Sequence, residues 1–323
     1  MIGEHFRFWA WPEELRKAGV LGINRRNVDY ILNANPRGLY PTVDDKLITK
    51  QICQEHGIPV PETYGVLIQQ SHVKSFPDIL GDRQEFVIKP ANGAAGRGII
   101  VIARRRGDDY ITPSRRIISW SDLRYHIATS LSGLYSLGGQ VDKVIVEKRI
   151  ISHEALHTVA VGGTPDIRVI IYRGVPAMAM IRLPTCESGG RANLHQGAVA
   201  AAIDLMTGKT FGGVMDNRVI THHPDTEMPI AGIEIPNWRH LMDSAMRLSD
   251  ALQMGYVGVD FVIDATQGPV VLEANARPGL AIQVAHGHGI APRLELIDAA
   301  PPELHRGERR WELIQKIGEL SAA

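Results

Sequence analysis

The sequence predicts an α+β fold divided into more than one lobe. Strand-like runs come in groups, "FVIK" with "GIIVIA" and the long "DIRVIIYRGVPAMAMIRL". Helical periodicity stands apart from them, most clearly in "NWRHLMDSAMRLSDALQMG". Strands and helices segregated in this way indicate α+β architecture and not the regular alternation of a parallel α/β sheet. The length of 323 residues, with an ordinary apolar and charged composition, suits one large domain or roughly two to three small ones.

In chain order, residues 1–40 are rich in Arg, Asn and aromatics, and "NRRNVDYILNANPRGLYP" ends in turn residues. In "DDKLITKQICQEHGIPVPET", Thr42 or Asp44 is expected to cap a helix. Leu47, Ile48 and Ile52 would be its apolar stripe, and Gly57 would end it before two prolines. "FVIK" and "GIIVIA" flank a glycine-rich stretch, so the loop between them joins two strands. "DKVIVEKRI" reads as a short buried strand with a charged exit, and Arg173-Gly174 as a hairpin turn. On the helix beginning near Trp238, the residues Trp238, Leu241, Met242, Ala245, Ser249 and Leu252 share one face, with Gly255 following as a stop. "VGVDFVIDATQGPVVLEANA" is a second hairpin.

Several functions are disfavoured. Lys plus Arg (35) equals Asp plus Glu (35), so no nucleic-acid binding driven by net charge is expected. Arg104–Arg106 and Arg306–Arg310 read as solvated loop or helix faces. The two cysteines, Cys53 and Cys186, show no CxxC or zinc spacing and fit free thiols in a reducing compartment. The N-terminal stretch carries charges inside its apolar run and lacks the core of a signal peptide. No run approaches membrane-spanning length. A soluble, cytoplasmic protein is expected.

Two stretches carry chemistry. "VIKPANGAAGRGIIV" puts Lys89 beside a glycine-rich loop, a pattern suited to phosphate held by backbone N–H groups. A Walker loop would end in GK[ST] and open a helix; a Rossmann loop would also open a helix. Here the chain continues as strand, which leaves a hairpin loop that folds over a triphosphate, or glycines serving turn chemistry alone. In the second stretch, a turn centred on Thr266–Gln267 puts Asp260 opposite Glu273. Glu273 and Asn275, two apart, then share its face. Two carboxylates and an amide oxygen, without His or Cys, suit Mg²⁺ that also holds substrate phosphates. The alternative is the solvated face of a half-buried strand, although "VVLEAN" is apolar up to its glutamate.

Taken in order, "DDKL…GIPVPET", "VIKPANGAAGRG", "IVEKRI", "DIRVIIY", "RANLHQG" and "GVDFV…LEANARPG" resemble the ATP-grasp superfamily over about residues 40–285. The chain is most similar to its glutamate-ligase (RimK-like) branch, the alpha-L-glutamate-ligase-related proteins. The resemblance implies an ATP-grasp fold, two α+β lobes clasping ATP. Residues 1–43 would be a shortened N-terminal segment, 44–150 the small lobe with its lid loop, and 151–323 the large lobe with the metal site and a C-terminal helix.

The same resemblance implies residue roles. Lys46 and Lys89 would contact ATP phosphates. Asn92, Gly93, Ala94, Ala95, Gly96 and Gly98 would form the lid over them. Glu147, Lys148 and Ile150 correspond to the adenine hinge, and Glu154 to the carboxylate that takes ribose hydroxyls. Asp260, Glu273 and Asn275 correspond to ligands of Mg²⁺, which Mn²⁺ could replace. Gly279 would give a backbone N–H to a tetrahedral intermediate. Arg168, Arg182, Arg191, Asn193 and His195 would gather around the γ-phosphate and acyl phosphate. Arg277 departs from that pattern, standing where peptide-forming members often have a small residue; an arginine there would hold a substrate carboxylate or make a structural ion pair.

The implied chemistry is ADP-forming ligation of a carboxylate to an amine through an acyl phosphate. Glutamate or another amino acid would be added to a peptide or small carboxylate. Two other readings stay open: a kinase or ligase of envelope-sugar metabolism, and a nucleotide-binding, non-catalytic subunit that needs a partner. The resemblance leads one to expect a longer N-terminal lobe than the 45 residues ahead of Lys46. A partner protein could complete that lobe, docking on Phe6–Trp11 or Arg309–Ile317 where these are not core-packing helices. A homodimer is the common habit of such ligases. Asn24, Arg25, Asn27, Asn33, Asn35 and Arg37 would either bind a carboxylate or sugar, or cap turns.

Overall fold

A computed structural model of the chain describes residues 10–93 and 96–322. Ala94 and Ala95 of the glycine-rich loop lie outside the described residues, as do residues 6–9 of the aromatic run. The strands are β1 (Thr63–Leu67), β2 (Phe86–Pro90), β3 (Ile100–Ile102), β4 (Arg104–Arg106), β5 (Asp109–Ile111), β6 (Ile117–Ser119) and β7 (Val144–Glu147). After them come β8 (Asp166–Tyr172), β9 (Val175–Leu183), β10 (Val199–Ile203), β11 (Thr210–Met215), β12 (Arg218–Val219), β13 (Tyr256–Asp264) and β14 (Gly268–Asn275).

They assemble into antiparallel sheets. A smaller one has the order β1-β7-β2-β3, a larger one the order β12-β11-β10-β9-β8-β13-β14, and β4-β5-β6 form a third. Each of the two main sheets has its own apolar core. Phe76, Phe86, Ile88, Ile102, Leu123 and Val146 are among the residues filling the smaller one. The larger core collects the sheet residues Val169, Ala179, Val259 and Phe261 together with Leu241, Met242, Ala245 and Leu248 of the helix Trp238–Leu252. Every residue expected on that helix's buried face is buried. The helix stops at Gln253, itself in the left-handed region. Gly255 serves close packing instead. A Cβ there would lie 2.8 Å from that of Ala34, so glycine lets the N-terminal segment approach.

Arg173-Gly174 is a two-residue turn with both residues at positive φ, joining Tyr172 to its partner Val175. The glycine-rich loop links the antiparallel neighbours β2 and β3, and so connects strands.

Other local expectations are corrected. The helix Lys46–Glu55 is capped by Asp45, whose carboxylate accepts from Leu47 N–H. Its buried face is Thr49, Lys50 and Cys53, while Ile48 is exposed. An ion pair beneath the helix, described below, turns it so that a lysine goes inward. Arg104–Arg106 is a strand, with Arg105 bonded to Gly81 O at 2.9 Å. Arg310 is buried against Asp250 at 2.6 Å and not solvated. The helix Arg310–Ala322 packs into the larger core through Leu313, Ile314 and Ile317, while Trp11 is 59% exposed.

The Asn- and Arg-rich N-terminal segment is helical over residues 23–34, with Arg26–Ile31 in the wider π form. Leu21, Tyr30, Ile31 and Val43 join the larger core. Asn35 is buried and bridges backbone groups, donating to Tyr256 O at 2.7 Å and accepting from Tyr256 N at 2.8 Å. Asn33 donates to Asp29 O and Arg25 bonds Asp29 and Glu295.

Candidate active site

The β13–β14 hairpin places the acidic residues. Asp264 pairs with Gly268 across a three-residue turn, and Asp260 pairs with Glu273 as expected. The route is different from a simple symmetric turn. A register shift between Asp260 and Phe261 leaves Leu272 as an extra residue on β14, which moves Glu273 into place. On the other side of β13, Asp260 pairs with Arg168, and Asp166 pairs with Arg182. Directly paired residues share a sheet face, so Asp166, Arg168, Arg182, Asp260 and Glu273 line one surface.

The charges on that surface interlock. Arg168 grips Asp260 with two bonds, Nε to Oδ1 at 2.7 Å and Nη2 to Oδ2 at 2.6 Å. Arg182 does the same to Asp166, with Nη2 to Oδ2 at 2.6 Å, and reaches Asp260 Oδ2 at 3.2 Å. Burial alone would raise the Asp260 carboxyl, but Arg168 and Arg182 overcome it and hold the group below the usual carboxylate range. Burial pushes the Asp166 carboxyl up, with Asp260 adding to the effect and Arg182 opposing it.

Glu273 is half-buried and accepts from Asn275 Nδ2 at 3.2 Å. Lys46 Nζ stands 3.7 Å from Glu273 and donates to Gly93 O at 2.6 Å, so it ties the large sheet to the start of the glycine-rich loop. Burial lowers the Lys46 pKa; Glu273 opposes this and Lys89 adds to it. Lys46, Lys89, Pro90, Gly93, Gly96, Arg97, Ile99 and Glu273 line one recess beside the glycine-rich loop. The start of that loop is fastened by Asp142, which accepts from Asn92 N at 3.0 Å, Asn92 Nδ2 at 2.8 Å and Ser136 Oγ at 2.5 Å. Gly98 lies against the Tyr135 ring, where a Cβ would approach within 2.7 Å.

Below Lys89 a buried triad forms. Glu147, at the end of β7, is 2.5 Å from both Lys89 Nζ and Lys50 Nζ, all three side chains being 4–7% exposed. Burial would raise the Glu147 carboxyl, but Lys89 and Lys50 outweigh it and hold it low. Lys50 also donates to Thr63 Oγ1 at 2.8 Å. Of the expected hinge, Lys148 gives its N–H to Glu62 O, and Ile150 follows where the chain leaves β7. Glu154 is exposed at the start of a 3₁₀ turn.

Not all expected residues converge. Arg191 and His195 are exposed on the loop between β9 and β10, and Asn193 caps a turn there by accepting from His195 N at 3.0 Å. No side-chain bond among the described residues joins these three to Arg168 or Asp260. Arg277 is exposed, with no ion pair among the described residues, and lies 5.0 Å over the Tyr40 ring. Gly279 does reach the site: a Cβ on it would be 3.7 Å from Arg168 Nη1.

Sequence reasoning missed Asp166, Lys50, Asp142 and Arg26. Two of them carried a signal: Asp166 is two residues from Arg168 on one strand, and Lys50 is four from Lys46 on one helix.

Among the described residues no group of three His, Cys, Asp or Glu side chains could hold a metal; the hairpin offers two carboxylates and the Asn275 amide oxygen. Asp260, Glu273 and Asn275 fit that role for a hard cation. All are oxygen donors on neighbouring strands, and Mg²⁺ takes one or two carboxylates and leaves the remaining positions to water and phosphate.

Comparison with known proteins gives the family and the fold. A family model described as sugar-transfer-associated ATP-grasp matches residues 25–299. A probable alpha-L-glutamate ligase of Parasynechococcus marenigrum (strain WH8102) is 24% identical over 249 residues, which is 76% of this chain and 39% of that protein. The chain thus spans about two fifths of that curated relative. Among solved structures, Rhizobium etli pyruvate carboxylase matches with a TM-score of 0.50 and 16% identity, over 86% of this chain and 20% of that one. A D-alanine–D-alanine ligase from Bacillus anthracis matches with a TM-score of 0.44 and 14% identity, over 87% and 70%. The chain has the ATP-grasp fold and belongs to the sugar-transfer-associated ATP-grasp family.

Proposed function

We propose that this protein is an ADP-forming carboxylate–amine ligase. It would use MgATP to activate a carboxylate as an acyl phosphate and join it to an amine. Glutamate or another amino acid, added to a peptide or small carboxylate, is the substrate class this reading favours. The observation that carries it is the array of Asp260, Glu273 and Asn275 on one sheet face, with Arg168 and Arg182 beside them and Lys46 and Lys89 under the lid. The relative named as a glutamate ligase supports the same reading.

The chain's own residues divide the work. Lys46 and Lys89 hold phosphate oxygens beneath the lid, whose N–H groups close over them. Asp260, Glu273 and Asn275 would hold Mg²⁺, which when bound neutralises charge on the β- and γ-phosphates. Arg168 and Arg182, fixed by Asp260 and Asp166, face the reacting centre as rigid cations that spread developing charge. Gly279 N–H donates to the oxyanion formed as the amine attacks. Catalysis is then positioning and charge stabilisation without a side-chain nucleophile.

The family's association with sugar transfer favours a second reading, phosphorylation or ligation of an envelope-sugar precursor. Purified protein with MgATP, challenged with pools of amino acids, acidic peptides and sugars, separates the two. ADP release matched by a product one amino-acid residue heavier, and lost in Asp260→Ala, is the expected result. Phosphate on a hydroxyl would replace it with the sugar-kinase reading. Nucleotide binding without turnover in any pool would point to a subunit that needs a partner.

A further inference from the structure

Arg26 is a buried cation with no carboxylate partner among the described residues. It is 6% exposed, and its Nη1 donates to Pro278 O at 2.5 Å while Nε and Nη2 share Asn27 Oδ1 at 3.1 and 2.9 Å. Burial depresses its pKa, Tyr256 opposes this and nearby Arg277 adds to it. Keeping a guanidinium in such a place is unfavourable unless it does something there.

Its acceptor shows what. The Pro278 carbonyl and the Gly279 N–H are the two ends of one peptide unit, and peptide bonds in the described residues are trans. In a planar trans peptide the C=O and N–H point in opposite directions. A donor clamped on the carbonyl therefore fixes where the N–H points. A charged donor also polarises the unit and strengthens the N–H as a donor. The Gly279 N–H has no acceptor among the described residues, and Gly279 lies beside Arg168. Pro278 in turn packs over Gly258, where a Cβ would come within 2.5 Å of Pro278 Cβ.

We infer that Arg26, from the N-terminal π-helical turn, is a positioning residue that aims and polarises the Gly279 N–H toward the oxyanion of the amide-forming step. The inference rests on the ligase reading for that step, but the clamp itself can be read without turnover. The test uses the full chain, as wild type, Arg26→Met and Arg26→Lys, labelled with ¹⁵N-glycine. The Gly279 amide cross-peak is the first readout, assigned through its loss in Gly279→Ala. The second is the kcat and KM for MgATP with whichever amino-acid or peptide pool turns over.

Arg26→Met is expected to move the Gly279 amide proton upfield and to lower kcat by about 10- to 100-fold, below the loss for deleting a whole oxyanion donor. The MgATP KM should stay within about twofold. Arg26→Lys, which keeps one donor, should recover part of both effects. An unmoved cross-peak overturns the clamp. A moved cross-peak with unchanged kcat overturns its catalytic role. If Arg26→Met does not fold, Arg26→Lys carries the same comparison. Absence of turnover by the wild type in every pool sinks the ligase reading alone, and the cross-peak then decides the clamp.

Discussion

Glu147→Gln isolates the energetics of the buried triad. The substitution keeps the shape of the side chain and removes the charge that neutralises Lys50 and Lys89, each 2.5 Å away. Because the three side chains are 4–7% exposed, the triad belongs with buried ion pairs. For these, loss of one partner costs about 3–5 kcal/mol, against about 0–1 kcal/mol for surface pairs. A typical protein has about 5–15 kcal/mol in total, so the loss is a large share. Guanidinium denaturation followed by circular dichroism should show the midpoint falling at unchanged slope. The excess charge is two ammoniums without an anion, so Lys50→Met added to Glu147→Gln should recover part of the loss, a positive coupling in the double-mutant cycle. If Glu147→Gln stays within about 1 kcal/mol of wild type, or if Lys50→Met makes it worse, the triad is not held together as argued.

Two further outcomes follow from other parts of the structure. Asp142→Ala leaves the Asn92, Ser136 and Lys143 donors without their acceptor, at roughly 1–3 kcal/mol for each donor left unsatisfied; faster amide exchange at Asn92 and Gly93 and a raised KM for MgATP should accompany it, and unchanged exchange would refute the fastening of the lid. His286 is buried, with its pKa lowered from 6.5 to about 3 by burial, Arg293 and His288. Its folded state refuses a proton that the unfolded chain accepts, so its stability contribution is whole above pH 6.5 and is lost as pH falls toward 3, by up to about 1.4 kcal/mol per pH unit. His286→Gln should flatten that slope in denaturation series run from about pH 7.5 to about pH 5, and parallel profiles would contradict it.

What could be read from the sequence follows from period and parity. The hairpin bearing Asp260 and Glu273 was legible because side chains on strands alternate strictly and the turn residues limited its centre. Its bulge was not, since one extra residue leaves no local composition signal. The inward turn of Lys50 was hidden because apolar periodicity assigns lysine to solvent, and only the far-off Glu147 reverses that. Helix over residues 23–34 was obscured by asparagines and by a π stretch with the wrong period. Arg26 could not be found without the fold: its acceptor lies 252 positions away. The grouping of Arg191, Asn193 and His195 came from motif order alone, and a loop between strands need not carry its side chains to the sheet face its neighbours line.

The bulge at Leu272 also limits how this hairpin can change during evolution. A one-residue slip in the pairing of β14 with β13 would flip every β14 side chain, turning Glu273 and Asn275 away from Asp260. A slip of two would restore the face but carry Glu273 two positions along β13 from Asp260, so the pair survives a slip near the tip only when the residue lost there is regained at the bulge. The bulge therefore works as a parity correction, absorbing an odd residue between the tip of the hairpin and its acidic end. Relatives whose pairing near the tip is shifted by one residue should carry a matching gain or loss at this one place on β14, keeping the acidic pair opposite each other.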